Sequence, residues 1–134
     1  MRTRAGLLLT VAALTLAGAC GGDSDDEETP RAAPVPLLVN LCEAREAASA
    51  DPAETGAAQE AFAAAHDDLH ALADRLTARD RAAATGFFRA KQRVEADLAG
   101  GADAATLEAD LRALLDETYV AAEALDAPVV PDCR

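Results

Sequence analysis

Tryptophan is missing from this 134-residue chain, tyrosine occurs once and phenylalanine three times. With so few aromatics, a core must come from leucines, a few valines, Phe62, Phe87, Phe88 and Tyr119, packed closely among many alanines. Basic residues are scarce too: 12 Lys and Arg against 24 Asp and Glu leave a formal charge of −12. That balance argues against nucleic acid as a partner and against a membrane contact made by a basic amphipathic helix. Cations or a basic protein are the electrostatically reasonable ligands. Serine is confined to Ser24 and Ser49, neither beside a candidate base, so hydrolase chemistry has no nucleophile. No phosphate-binding glycine loop, haem-attachment CxxCH or iron–sulfur spacing occurs. The expectation is a non-enzymatic protein without a resident cofactor.

A long hydrophobic run is also lacking. The apolar stretch Leu7–Leu16 is about half the roughly twenty residues a helix needs to cross a bilayer. It follows Arg2 and Arg4 and precedes the small residues Ala17, Gly18 and Ala19, which is the anatomy of a signal peptide over residues 1–19. Leu16-Ala17-Gly18-Ala19-Cys20 resembles the lipobox of bacterial lipoproteins, with Ala17 where a larger aliphatic is usual. The resemblance implies cleavage before Cys20 and attachment of a lipid to its sulfur. Removal of Arg2 and Arg4 leaves 10 basic residues against 24 acidic ones, a mature charge of −14. Residues 20–36 read as a lipidated cysteine and a tether: no large apolar residue precedes Val35, and Asp23, Asp25, Asp26, Glu27 and Glu28 form an acidic cluster unable to bury a core. The expected address is the extracytoplasmic face of the membrane, held by that anchor.

From Leu37 the pattern is helical, without the alternation or β-branched enrichment of strands. A short first helix is expected over Leu37–Ala50, with Leu38, Leu41, Cys42, Arg45 and Ala48 along one side. Asp51-Pro52 breaks it, and Asp51, Pro52 and Glu54 suggest a cap, first helical residue and capping box for the next helix, with an interruption near Gly56. Ala58, Phe62, Ala65, Leu69, Leu72 and Leu76 alternate steps of four and three, the signature of a bundle seam. A third helix from Asp80 to Ala99 buries Ala83, Phe87, Ala90, Val94 and Leu98, stops at Gly100-Gly101, and carries Lys91–Glu95 and Arg93–Asp97 pairs on its solvent sides. Phe88 is expected in the core as well, covering the first helix, with an exposed contact patch as the alternative. A fourth helix starts at an Asp103 cap, buries Leu107, Leu111, Leu114, Thr118, Ala121 and Leu125, and ends at Pro128. Short connections predict an all-α, up-and-down antiparallel four-helix bundle over residues 37–134. With Cys20 lipidated, Cys42 and Cys133 form an even pair that reads as a disulfide in an exported protein.

His66 and His70, the two histidines, stand one helical turn apart, with Asp74 a further turn along. Two imidazoles at this spacing can chelate a metal, and Asp110 or Glu117 from a facing helix are candidate additional ligands. Asp67 stands where zinc-protease helices need a glutamate base, which rules out that chemistry. The helical wheel sets His66 at the seam border and turns His70 and Asp74 toward solvent, favouring a structural reading in which two boundary histidines lie beside acids. Stretches around Phe62–Ala73 and Ala90–Leu98 resemble small alanine-rich lipoproteins of actinobacteria, which implies an address and a fold class but supplies no catalytic residue. The leading expectation is a membrane-tethered interaction module with an envelope protein partner. The alternative is an accessory lipoprotein binding copper, zinc or iron through His66, His70 and Asp74.

Overall fold

A computed structural model of the chain describes residues 34–129 with Asp132 and Cys133. The expected signal segment, Cys20 and the expected tether as far as residue 33 lie outside the described residues. Five helices and no strand occur among the described residues: α1 (Pro34–Ser49), α2 (Thr55–Ala64), α3 (His66–Arg79), α4 (Arg81–Gly100) and α5 (Ala104–Ala124). None of these helices is long and apolar enough to cross a membrane. They pack as a helical bundle in which α5 lies along α1 and α4, α2 along α1, and α3 against α4.

α1 starts three residues before the expected boundary because Pro34 and Pro36 fit its first turn, where a missing N–H costs no helical hydrogen bond. At 16 residues it is not the short helix; α2, with 10, is. Leu37, Leu38, Leu41, Ala44 and Ala48 form its buried stripe, with Cys42 and Arg45 half-buried at the edge. Asp51 caps nothing. α2 begins at Thr55 after an N-cap Glu54 that makes no side-chain cap bond, and Asp51 stands too far before it to reach first-turn amides. Glu54 N–H instead donates to Ala47 O at 2.9 Å, closing the turn, which contains a cis Asp51-Pro52 peptide.

The interruption expected near Gly56 falls at Ala65. There α2 gives way to α3 across one residue that keeps helical dihedrals and shares its N–H between Ala61 O at 3.2 Å and Phe62 O at 3.1 Å. The apolar row from Ala58 to Leu76 stays buried across the break. Asp80 caps α4, accepting from Ala82 N and Ala83 N at 2.9 and 3.0 Å. Gly101, at φ 68°, ends it in the left-handed conformation that glycine adopts without steric cost. Asp103 caps α5 through Thr106 N at 2.9 Å. That helix closes at Ala124, with Leu125 as cap, ahead of Pro128.

α4 departs from expectation on three sides. Lys91, the chain's single lysine, is buried rather than solvated, because α4 packs on both α3 and α5 and its buried arc takes in Ala84, Phe87, Ala90, Lys91 and Val94. Its ammonium emerges at the edge of that arc onto Glu95, the expected partner. Arg93 reaches across to Asp110 of α5 at 3.1 Å instead of pairing with Asp97. Phe88 is 37% exposed because Phe87, fully buried, already fills the seam and the next position turns about 100° outward. Cys42 and Cys133 are joined as a disulfide with Cα atoms 5.9 Å apart, and Cys133 N–H donates to the Tyr119 hydroxyl at 3.2 Å.

Candidate functional site

The break at Ala65 makes His66 the first residue of α3 and puts Asp67 and Asp68 in its first turn, where carboxylates complement the positive end of the helix dipole. His66 and His70 then project from the same exposed side one turn apart. Their Nε2 atoms converge to 3.1 Å, with ring centroids 4.5 Å apart and planes inclined at 68°. Two imidazole lone pairs at that distance repel unless something positive lies between them. Either one ring donates its N–H to the other, or both nitrogens face a shared cation.

The candidate carboxylates do not gather around this pair. Asp74 is exposed one turn farther along α3. Asp110 is held by Arg93, and Glu117 covers Gly86 of α4, where an added Cβ would meet its Oε2 at 2.6 Å. Among the described residues no group of three or more His, Cys, Asp or Glu side chains is placed to hold a metal ion. The chain therefore offers His66 and His70 as two converging donors.

A groove of about 490 Å³ opens beside the break, between the end of α2, the start of α3 and the last turns of α4. Phe62 and Leu98 supply apolar surface, Ala63, Ala64 and Ala99 leave room, and Gln59, His66, Asp67 and Glu95 supply polar groups. Its lining holds two carboxylates, of which Glu95 is paired with Lys91 and Asp67 lies in the first turn of α3, and no lysine or arginine. Serine, threonine and cysteine are absent from the lining. Of the expected row His66, His70 and Asp74, only His66 lines this groove. The α4 wall was not legible, because nothing in the spacing of Glu95, Leu98 and Ala99 tells which helix they face.

A second acidic cluster lies where Gly101 folds α5 back along α4. Burial first, then a side-chain hydrogen bond with Asp110 and the charges of Asp110 and Asp103, holds the Asp97 carboxyl above the ordinary aspartate value of 3.8, with Arg93 acting the other way. Asp97 Oδ2 is buried without a hydrogen-bond partner. Asp103 goes in the opposite direction, its carboxyl lowered by hydrogen bonds from the Thr106 amide and hydroxyl.

No protein-family model matches the chain, and no curated protein or solved structure is significantly similar to it. The lipobox resemblance thus rests on Leu16–Cys20 themselves, and any function on the groove and the histidine pair.

Proposed function

We propose that this chain is a bacterial lipoprotein, anchored through Cys20 on the extracytoplasmic face of the membrane, that acts as a non-enzymatic interaction module and binds a basic segment of an envelope protein. We read its packing as an up-and-down antiparallel bundle of four limbs, α2 and α3 sharing one limb that bends at Ala65. The observation that carries the reading is the groove beside that break. Asp67 offers charge to a lysine or arginine, Glu95 being shared with Lys91, while Phe62 and Leu98 offer contact to its neighbours. A mature charge of −14 would speed encounter with a basic partner by electrostatic steering.

Two experiments test the two halves of this proposal. Cys20→Ala should abolish palmitate labelling and release the protein from the membrane fraction; labelled, membrane-bound protein after that change removes the anchor. For the groove, a photo-crosslinking side chain at Ala99 in the lipidated chain in cells should give a defined adduct, absent with the same probe at exposed Ala109 of α5. Asp67→Asn and high salt should weaken that adduct. Equal crosslinking from both positions, or an adduct indifferent to charge, counts against a basic occupant.

A further inference from the structure

We propose that His66 and His70 form a two-imidazole clamp for a divalent transition-metal ion, with Cu(II) bound most tightly, a site that goes beyond the protein partner proposed for the groove. The separation of 3.1 Å between the Nε2 atoms is the starting point. Metal–nitrogen bonds are about 2.0–2.1 Å long, so an ion midway between these nitrogens would see them at an angle of roughly 100°. That lies between the cis angle of a tetragonal site and the tetrahedral angle, and the clamp fits Cu(II) or Zn(II) without rebuilding the helix. Affinity decides between them: for imidazole donors the order of divalent ions peaks at copper.

The surroundings agree with the geometry. Both rings are exposed, so an ion reaches them directly and water can fill the remaining coordination positions. Asp67, Asp68 and Asp74 flank the pair along α3, and their charge concentrates cations there. A cation also removes the repulsion between facing lone pairs that otherwise requires a proton between the rings.

Because both histidines are exposed, single substitutions should leave the fold intact. The mature protein titrated with Cu(II) should take up one equivalent at micromolar concentration, with an electron paramagnetic resonance spectrum showing two coordinated nitrogens and a raised unfolding midpoint. His66→Ala and His70→Ala should each lose the two-nitrogen signature and weaken binding at least tenfold. Acidification should release the ion, because imidazolium cannot ligate. A register control settles geometry against mere histidine content: Asp67→His combined with His70→Ala keeps two imidazoles but sets them about 100° apart around the helix. It should behave like the single variants. Copper retained by the double alanine variant, or held equally by the register control, would show nonspecific binding and overturn the clamp. No uptake at micromolar copper would overturn it too, identifying the contact as an N–H···N hydrogen bond.

Discussion

Lys91 and Asp97 stand less than two turns apart on α4 and meet burial in opposite ways. The Lys91 side chain is 7% exposed, and its ammonium is satisfied by Glu95, itself 36% exposed. The pair is asymmetric, because the partner left behind by a substitution decides its cost. Glu95→Gln leaves a buried ammonium without its counter-charge and should destabilise by about 3 kcal/mol, whereas Lys91→Met leaves a carboxylate that water can reach and should cost within about 1 kcal/mol. Urea titrations of the two variants test this ordering; equal losses would mean that the pair behaves as a surface ion pair. Asp97 has no such relief. Its folded pKa is raised, so its ionised form is disfavoured in the fold, and the penalty is full above the folded pKa and gone below the ordinary value of 3.8. Asp97→Asn should therefore stabilise near neutral pH by about 1 kcal/mol, since it removes an unpaired buried acceptor beside Asp110. The gain should shrink as pH falls through the folded pKa and vanish below 3.8; unfolding midpoints measured from pH 7 to pH 3 check the sign.

At the scale of elements, local chemistry decides where the helices stop. Gly101 sits at φ 68°, past the end of α4, whereas Gly56 lies inside α2 with open space where a Cβ would be. The same substitution should have opposite effects at the two sites. Gly56→Ala should raise stability by about 1 kcal/mol through helix propensity, and Gly101→Ala should lower it by roughly 1–2 kcal/mol through a left-handed residue with a side chain. Thermal unfolding of the two variants reads out both signs. This contrast also marks what was legible in the sequence. The seam residues of α2, α3 and α5, the glycine stop and the Asp103 cap follow from periodicity and short-range chemistry. The break at Ala65 does not, because it interrupts an alanine run without proline or glycine and leaves the apolar row in phase. Nor does the burial of Lys91 or the exposure of Phe88, which depend on α4 facing two neighbours. The convergence of His66 and His70 was legible in their spacing, but the groove between α2, α3 and α4 is a product of tertiary packing.

For the whole molecule, a thin core rich in leucine and alanine is reinforced by one covalent link. Cys42 and Cys133 close a loop across a sequence separation of 91, tying the segment after α5 back to α1. In the chain-entropy model a loop of this length contributes up to about 4–5 kcal/mol by restricting the unfolded chain. Around Cys133, the N–H donates to the Tyr119 hydroxyl and the side chain packs against the edge of the core. Reduction should therefore leave helix content nearly unchanged in buffer while moving the urea midpoint down by most of that energy. Reduced protein should also show a more exposed Tyr119, which is 6% exposed beneath the closed segment. Cys42→Ser with Cys133→Ser should reproduce the reduced midpoint without reductant, separating loss of the link from side reactions of free thiols. An unchanged midpoint after confirmed reduction would mean that the unfolded chain is already compact, and that stability resides almost wholly in the seam of α1, α4 and α5.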